Sequence, residues 1–369
     1  MMRIRGAVLE QIGLDRPYGE SRPIAVDDLD LAPPGANELL VRIEAAGMCH
    51  SDLSVVDGSR VRPVPMLLGH EAAGVVEEAG PGVSDVHPGQ RLVMTFLPRC
   101  GQCEACATNG LTPCVAGSAA NAAGTLMGGD RRLSRDGQPI HHHLGVSGFA
   151  THTVVDRRSV VPVPADVPAQ VAALLGCAVL TGGGAVINAG RPRQGDTVIV
   201  VGLGGVGMAA VLTALARDDV RVIGVDQLTT KLELARTMGA HAAYTPDEAR
   251  EAGIKAAVVI EAVGHPKAVE TAVDLTAAGG RTVCVGLPRP DARINLSPLG
   301  FVAEGRSLIG SYLGSAVPSR EIPHFVGLWR AGRLPVESLV SSTIGLDDIN
   351  TGMDQLADGK AVRQIISFD

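Results

Sequence analysis

The sequence predicts an α/β protein with two domains, one β-rich and one built on a doubly wound parallel sheet. Three observations predict it: the length, the aliphatic composition and a change of pattern along the chain. The 369 residues are too many for one ordinary hydrophobic core, and 46% of them are hydrophobic against 19% charged. Because only five Phe, three Tyr and one Trp are present, the core must be built from Val, Leu, Ile and Ala, which suits a buried parallel sheet.

Short β-rich runs separated by Pro and Gly fill the first 160 residues. The N-terminus, "MMRIRGAVLEQIG", lacks a continuous apolar segment and predicts a first strand rather than a signal peptide. Period-two patterns predict further strands in "ELLVRIEAAG", "AAGVVEEAG", "QRLVMTF" and "ATHTVV", in a largely antiparallel unit. Residues 115–145 show no clear periodicity, so we expect a long loop there that is functional or mobile.

Alternating apolar strands and helical segments begin at about Asp196. The strand-like runs are "DTVIVVG", "VRVIGVD", "AAVVIEAVG", "RTVCVG" and "SLIGSY", and "TTKLELARTMGA" has a helical period. This alternation is typical of a doubly wound sheet. After about Leu313 the pattern returns to mixed helix and strand and ends in "AVRQIISFD". We therefore predict a first domain of residues 1–178 completed by 313–369, and a second domain of residues 179–312.

Charge and hydropathy limit the partners. The net charge is −7 and no Lys/Arg block stands out, so nucleic acid is not expected as a partner. Thr197–Ala216 carries no charge, but it contains "GLGGVG" and predicts a strand, a turn and a helix rather than a membrane span. We expect a cytoplasmic protein. In a reducing compartment its seven cysteines indicate metal binding or catalysis rather than a disulfide framework.

Four cysteines, Cys100, Cys103, Cys106 and Cys114, follow the spacing C-x2-C-x2-C-x7-C. Such short spacings let successive thiolates meet on one tetrahedral ion, and four cysteines form a closed structural zinc site. An iron–sulfur cluster is the competing metal, and four unrelated cysteines in a loop are the alternative without metal. The spacing favours zinc.

Three further residues, Cys49, His70 and Cys177, supply the ligand set of an open catalytic zinc site. Taken singly, each has a simpler explanation, because a lone cysteine is usually a small buried residue and a lone histidine is usually a satisfied polar residue. Cys284 lies mid-strand among valines and is expected to belong to the core.

A dinucleotide-binding turn is predicted by "VIVVGLGGVGMAAVLTALA", which places Gly202, Gly204 and Gly207 between a strand and a helix. The glycines permit the turn, the approach of a pyrophosphate and close helix–strand packing, and the anion would lie on the helix N-terminus. Asp226 ends the next strand. A carboxylate there accepts hydrogen bonds from ribose hydroxyls and repels a 2′-phosphate, which favours NAD over NADP.

Seven motifs occur in the order of one known family. They are "GMCHSD", "GHEAAGVV", "CGQCEACATNGLTPC", "GCAVLTGGGAV", "GLGGVG", "IGVD" and "AVRQIISF". Over essentially its full length the chain resembles the zinc-dependent medium-chain alcohol dehydrogenases. Its spacings resemble the dimeric animal-type and formaldehyde-dehydrogenase branch. The resemblance implies a GroES-like catalytic domain, a Rossmann domain, two zinc ions per chain, NAD, and a homodimer acting on a small alcohol or aldehyde.

The resemblance also assigns roles around the predicted catalytic zinc. Cys49, His70 and Cys177 would hold the ion, leaving the fourth position to water or substrate. Asp52 and Glu71 match the family's acids beside the ligands, where a carboxylate fixes the histidine tautomer. Ser51 matches the hydroxyl that first takes up the alcohol proton. Many relatives end that relay in a histidine where this chain has Ser54, so the proton must leave through water or another group.

Cofactor contacts follow from the same resemblance. Lys231 would contact the ribose, and Arg363 and His50 would contact the pyrophosphate. His50 is arginine in some relatives and, when neutral, would hold phosphate less tightly, which predicts faster NADH release. The other implied contacts are Thr181, Gly205, Val206, Val263, Val285, Leu287 and Leu313.

The substrate pocket is the least specified part of the resemblance. Phe96, His143 and Leu144 resemble pocket-wall residues, although the tract "PIHHHLG" could equally be a solvated loop or an incidental metal binder. Ser118 stands where glutathione-dependent formaldehyde dehydrogenases carry a carboxylate-binding arginine. That departure weakens the case for a glutathione adduct as substrate.

These observations predict a zinc-dependent alcohol dehydrogenase that transfers hydride reversibly between a primary or secondary alcohol and NAD. A formaldehyde dehydrogenase acting on a thiol adduct is the alternative enzyme. A cofactor-binding protein that has lost catalysis is a lower-ranked alternative, and a zinc-free reductase of the same superfamily would lack the metal ligands.

Overall fold

A computed structural model describes residues 1–368 of the chain. Strands fill most of the first half and alternate with helices in the second half. The strands are β1 Met2–Leu9, β2 Ile24–Leu31, β3 Glu38–Gly47, β4 Met66–Leu67, β5 Glu71–Ala79, β6 Arg91–Met94, β7 Leu133–Arg135, β8 Gln138–His142, β9 His152–Asp156, β10 Val160–Val163, β11 Thr197–Val201, β12 Arg221–Val225, β13 Ala242–Tyr244, β14 Ala256–Glu261, β15 Thr276–Cys284, β16 Ser307–Gly310, β17 Val340–Ile344 and β18 Arg363–Ser367.

The α-helices are mostly short. They are α1 Tyr18–Ser21, α2 His50–Val56, α3 Glu104–Ala107, α4 Val115–Ala123, α5 Ala169–Leu174, α6 Leu180–Gly184, α7 Gly205–Leu215, α8 Thr229–Thr237, α9 Pro246–Glu251, α10 Pro266–Asp274, α11 Pro298–Glu304, α12 Pro318–Arg330 and α13 Ile349–Ala357. Two wider, π-helical turns, Leu175–Val179 and Ala185–Gly190, extend α5 and α6 into one continuous helix. That helix is long and apolar enough to cross a membrane, but 89% of the 18-residue stretch that meets this criterion is buried inside the protein.

The chain divides into two compact units, and the first comprises Met1–Cys177 with the segment from Val340 onward. It contains a closed five-stranded barrel, in the order β1-β2-β7-β8-β4, and a sheet in the order β10-β6-β5-β3-β18-β17, with β9 also paired to β3. Most of these pairings are antiparallel, as the period-two runs predict. The β-rich first unit and its early strands are confirmed.

The second unit, Ala178–Leu339, is a six-stranded parallel sheet in the order β13-β12-β11-β14-β15-β16. Numbered from β11, this is the strand order 3-2-1-4-5-6 of the doubly wound dinucleotide-binding fold. Its central strands are mostly Val, Ile and Ala, and nearly all of these aliphatic residues are buried. Trp329, the single tryptophan, lies on α12 and donates its indole N–H to Glu337. The aliphatic core and the parallel sheet are therefore present as predicted.

Two expectations about organisation differ from the structure. The chain returns to the first unit at Val340 rather than at Leu313, because the intervening residues pack within the second unit. The Gly314 carbonyl accepts a hydrogen bond from Asn188, and the Phe325 ring lies against Gly183. Only with β17, which pairs with β18, does the chain join the first unit's sheet.

Residues 115–145 are not an irregular loop. They form α4 and the hairpin β7–β8, which belongs to the barrel. Helix α4 begins at Cys114 and ends at Gly124, whose left-handed backbone closes it. The hairpin turn is Asp136-Gly137, with both residues at positive φ, a pairing typical of tight hairpins. Cys284, expected in the core, ends β15 and is only half-buried.

Candidate active site

Cys49, His70 and Cys177 come together in the first unit from three separate segments. Cys49 precedes helix α2, and its backbone N–H donates to the Asp52 carboxylate at 3.0 Å, which fixes the start of the helix. His70 directly precedes β5, and Cys177 lies in the wide helical turn Leu175–Val179. Wide turns of this kind interrupt α-helices frequently at functional sites.

The three ligand atoms, two Sγ and the His70 Nε2, lie within 4.8 Å of one another, and all three side chains are buried. Cys177 Sγ is 3.4 Å from His70 Nε2. The hydrogen bond from Cys177, aided by Arg363 and His70, holds the pKa of Cys49 well below its usual range despite burial. Two thiol sulfurs and one imidazole nitrogen, one of the thiols readily ionised, fit a zinc ion with one open position.

Asp52 determines which His70 nitrogen faces the thiols. Its Oδ1 lies 2.9 Å from His70 Nδ1, so Nδ1 carries the proton and Nε2 is free to bind a metal. Burial alone would raise the pKa of Asp52, but His70 and His143 lower it below its ordinary value. The carboxylate is therefore charged, and the family-derived role of Asp52 agrees with its position.

The four-cysteine loop also has the geometry of a metal site. Cys100, Cys103, Cys106 and Cys114 place their sulfurs within 4.8 Å of one another. Two of the separations are 3.9 and 4.0 Å, and a sulfur tetrahedron around one zinc has edges of about 3.8 Å. Backbone N–H groups of Cys100 and Gly117 donate to Cys114 Sγ. These residues fit a closed zinc site.

The glycine-rich turn of the second unit joins β11 to α7. Gly202 has φ +91°, a conformation that glycine tolerates, and a Cβ on Gly207 would lie 1.7 Å from the Gly202 carbonyl oxygen. Gly204 precedes α7, whose first turn is Gly205–Gly207. Asp226 follows β12 and accepts a hydrogen bond from the Leu203 N–H at 2.7 Å. Strand, turn, helix and carboxylate thus have the arrangement of a dinucleotide site.

Sequence families and solved structures agree with this geometry. Residues 35–165 match the alcohol dehydrogenase GroES-like domain, and residues 205–329 match the zinc-binding dehydrogenase family. An alcohol dehydrogenase zinc-binding domain protein from Burkholderia ambifaria is 30% identical, with a TM-score of 0.91 over 100% of this chain and 99% of that one. The chain belongs to the zinc-dependent medium-chain alcohol dehydrogenase family.

Two other solved structures of this dehydrogenase family align with this chain over the full length of both proteins. Benzyl alcohol dehydrogenase from Acinetobacter calcoaceticus is 28% identical, with a TM-score of 0.91. A zinc-binding dehydrogenase from Sinorhizobium meliloti 1021, solved with NADP bound, is 25% identical, with a TM-score of 0.79. Family membership supports an oxidoreductase with zinc and a nicotinamide cofactor. The animal-type branch stays a prediction.

Glu71 and Arg363 form a buried ion pair next to Cys49. Arg363 Nε lies 3.3 Å from Glu71 Oε1, and Arg363 Nη2 lies 3.6 Å from Cys49 Sγ. Burial raises the pKa of Glu71 to about 7, although Arg363 opposes the rise. The Arg363 guanidinium thus faces a thiol ligand and a carboxylate, while its expected contact with a pyrophosphate stays a prediction.

The expected proton relay lies on helix α2. His50 is its exposed first residue, and Ser51 follows, half-buried. Ser54 Oγ donates to the His50 carbonyl at 2.7 Å, so this hydroxyl is engaged in a hydrogen bond within its own helix. Ser54 therefore contributes no base, in agreement with the departure seen in the sequence.

Two of the residues expected in the wall of the substrate pocket contact His70 directly. The rings of Phe96 and His143 each meet the His70 ring edge-to-face, with centroids 5.5 Å apart. Leu144 is buried beside them at φ +53°. His143 is buried as well, so the histidine tract is not a solvated loop.

A polar pair that sequence reasoning missed supports this wall. Asn121 Nδ2 donates to the Phe96 carbonyl at 2.7 Å, and Arg62 Nη1 donates to the Asn121 carbonyl at 3.2 Å. An Asn within an Ala-rich helix such as α4 does not by itself indicate a buried, functional side chain, because Asn is equally common on exposed helix faces. Ser118, on the same helix, is half-buried.

The remaining expected cofactor residues all lie in the second unit. Lys231 is buried on α8 rather than solvent-facing, and Thr181 is buried on α6. Val285 and Leu313 are buried, whereas Val263 and Leu287 are exposed. Their contact with a dinucleotide stays a prediction.

Glu261, at the end of β14, is a second residue that sequence reasoning missed. Its buried carboxylate accepts hydrogen bonds from the Val263 and Gly264 N–H groups at 2.8 and 2.7 Å. Its carbonyl accepts from Val285 and Gly286. Burial raises the pKa of Glu261, although these backbone N–H groups oppose the rise. A charged residue closing the apolar run "AAVVIE" was the available signal. Glu261 ties together the two loops that carry Val263 and Val285.

Proposed function

We propose that the protein is an NAD-dependent alcohol dehydrogenase, in which hydride passes reversibly between the carbon of a primary or secondary alcohol and the nicotinamide. The observation that carries the proposal is the buried Cys49, His70 and Cys177 set with Asp52 behind it. Zinc held there supplies a Lewis acid at an open position, which lowers the pKa of an alcohol hydroxyl. The four-cysteine loop would hold a second, structural zinc.

The chain's own residues orient that chemistry. Asp52 keeps the proton on His70 Nδ1, and the buried Arg363 guanidinium stabilises the Cys49 thiolate. Ser51 accepts the alcohol proton in this proposal and passes it to water, because the Ser54 hydroxyl is bonded to the His50 carbonyl. The proton therefore leaves without a histidine base at position 54.

Asp226 supports NAD as the cofactor. Its carboxylate lies at the end of β12, beside the glycine turn, where a ribose 2′-hydroxyl can donate to it and a 2′-phosphate would be repelled. The relative from Sinorhizobium meliloti was solved with NADP, so cofactor choice has to be measured on this chain.

The test combines metal analysis with turnover. We expect about two zinc ions per chain, one of them removed by mild chelation together with oxidation of benzyl alcohol and ethanol. Benzyl alcohol is included because a 28% identical relative is a benzyl alcohol dehydrogenase. One resistant zinc and no turnover would contradict the proposal. Formaldehyde with and without added thiols separates the thiol-adduct alternative.

Cofactor preference is tested with Asp226→Ser. We expect kcat/KM with NAD to fall about 10- to 100-fold and kcat/KM with NADP to change less, because the carboxylate pairs with ribose hydroxyls. Asp247→Ser, which alters an exposed carboxylate of the same unit, is the matched control. Equal use of NAD and NADP by the unmodified protein would rule out this role of Asp226.

We also propose a homodimer that forms at the free edge of the second unit's sheet. Strand β16 is one of the two edge strands, and Leu299, Val302 and Leu308 expose apolar side chains on it or in the helix α11 that precedes it. Light scattering should give twice the mass of one chain, and Val302→Asp should shift it toward the monomer. A cytoplasmic location is part of the same proposal, because it keeps seven thiols reduced for metal binding.

A further inference from the structure

His143 adds a second imidazole to the carboxylate that orients the zinc ligand His70. Asp52 is completely buried and has three N–H groups around it. Its Oδ2 accepts from the Cys49 N–H, and its Oδ1 faces His70 Nδ1 at 2.9 Å and His143 Nδ1 at 3.2 Å. One oxygen therefore lies between two imidazole rings.

The contact between His143 and Asp52 is electrostatic rather than a well-aligned hydrogen bond. His143 Nδ1 is buried and forms no aligned hydrogen bond within residues 1–368, although the Asp52 oxygen is 3.2 Å away. A buried polar atom without a partner is unfavourable, so a small ring rotation toward Asp52 would be favourable.

The backbone around His143 is fixed by a strained turn. Leu144 and Ser147 have φ near +50°, a left-handed conformation that is strained for non-glycine residues. The His143 N–H donates to Ser147 Oγ, and its carbonyl accepts from the N–H groups of Val146 and Ser147. The next residue back, His142, turns its ring to the other side and accepts from the Arg132 N–H. The fold maintains strain that holds the His143 ring against Asp52.

We propose that His143 is a positioning residue for the zinc centre and acts through Asp52. This inference rests on the proposed zinc-dependent function. A carboxylate buried away from water needs surrounding N–H dipoles to stay charged and oriented. His143 supplies one of three, and the charged Asp52 in turn keeps His70 Nε2 directed at the metal.

The test compares three variants of the full-length protein loaded with zinc or cobalt(II). His143→Phe keeps a ring and removes the N–H. His143→Asn restores a donor, because the amide nitrogen takes the place of Nδ1. Phe96→Leu is the matched control, since Phe96 packs on His70 at the same 5.5 Å but is not a donor to Asp52. Zinc release to a chelator and the visible cobalt(II) d–d spectrum are measured, with KM and kcat alongside.

We expect His143→Phe to release the chelatable zinc about 3- to 10-fold faster and to shift the cobalt spectrum. His143→Asn and Phe96→Leu should stay close to the unmodified protein in zinc release and in the cobalt spectrum. KM and kcat of Phe96→Leu are not used as a reference, because Phe96 is an expected pocket-wall residue. Equal effects of His143→Phe and Phe96→Leu would show that only ring packing matters and would overturn the inference. A change confined to KM for bulky alcohols, with normal zinc release, would make His143 a pocket wall and overturn it too.

Failure of the proposed function gives a different result. If the unmodified protein binds no chelatable zinc, the zinc-dependent function fails and this inference fails with it. If the unmodified protein binds that zinc normally and His143→Phe releases it at the same rate, the inference alone fails.

Discussion

The two cysteine clusters use similar ligands in opposite surroundings. The loop of Cys100–Cys114 draws all four thiols from fifteen neighbouring residues, and three of them are partly exposed. The cluster of Cys49, His70 and Cys177 joins distant segments and is fully buried. Backbone N–H groups support the loop's sulfurs, whereas charged side chains, Asp52 and Arg363, support the buried cluster. The loop cluster is thus built locally, whereas the buried cluster depends on contacts between distant segments of the first unit.

The largest expected effect appears when one cysteine of each cluster is replaced and the two variants are compared. Cys177→Ser should lower alcohol oxidation at least about 10³-fold with little change in Tm, because the Lewis acid is lost while the fold stays. Cys103→Ser should lower Tm by about 5 °C and keep measurable activity at low temperature. Zinc per chain, Tm and turnover check both. If Cys103→Ser, while still folded, loses activity as fully as Cys177→Ser, the two sites are not separate in function.

Asp52→Asn should affect the buried cluster alone. Loss of the charge that orients His70 is expected to speed zinc release there by about 10- to 100-fold. The four-cysteine loop should release its zinc at the unmodified rate, which serves as the internal reference. Asp130→Asn, at an exposed carboxylate, is the matched control. Equal acceleration at both sites would mean that the substitution loosens the whole unit.

The dependence of the free energy of unfolding on acid pH can be measured on the metal-free protein and therefore reports on the fold. Burial, with nearby Arg132, lowers the pKa of His142 to about 3, whereas an unfolded histidine titrates near 6.5. Between these values the unfolded chain binds the extra proton, so stability should fall as pH drops below about 6.5 and stay level above it. The slope for this proton is up to about 1.4 kcal/mol per pH unit.

Urea unfolding of the metal-free protein at several pH values measures this dependence. His142→Gln should flatten the dependence below pH 6.5, and His87→Gln, at an exposed histidine, should leave it unchanged. An identical slope in His142→Gln would exclude His142 as its source.

The smallest effect is expected in the four-cysteine loop. A Cβ on Gly117 would lie 2.4 Å from the Pro98 carbonyl, and the Gly117 N–H donates to Cys114 Sγ. Gly117→Ala should therefore destabilise the unit by about 1–3 kcal/mol and speed zinc release from the loop. Ala116→Gly, at its exposed neighbour, is the control. Faster zinc release from the buried cluster instead would contradict the assignment.

Sequence patterns predicted most of the fold and the residues that come together in the two candidate metal sites. The apolar runs that became β3, β11, β12 and β14 are long and uniform, so local pattern alone indicates strands. The short spacing of the four cysteines between Cys100 and Cys114 likewise predicts that their thiols meet, whereas Cys49, His70 and Cys177 were grouped by ligand type and by the family resemblance. The hairpin β7–β8 was missed although Asp136-Gly137 signals it, because its strands are short and carry Arg, Gln and His.

The rest of the site depends on contacts that no spacing encodes. His143 and Asp52 are 91 positions apart and meet only because the segment after β8 and helix α2 belong to the same unit. Glu261 and Asn121 likewise gain their roles from backbone groups brought to them by the fold. The return point at Val340 was misplaced because α12 packs through Phe325, a contact invisible in a helical period.

The shortage of aromatic residues has an optical consequence. Trp329 is the only indole in the chain, and it lies in the unit that carries the glycine turn. Intrinsic tryptophan emission therefore has its single source in that unit. Energy transfer from this single donor to bound NADH would follow cofactor occupancy, and the weak ultraviolet absorbance means that protein concentration needs an independent assay.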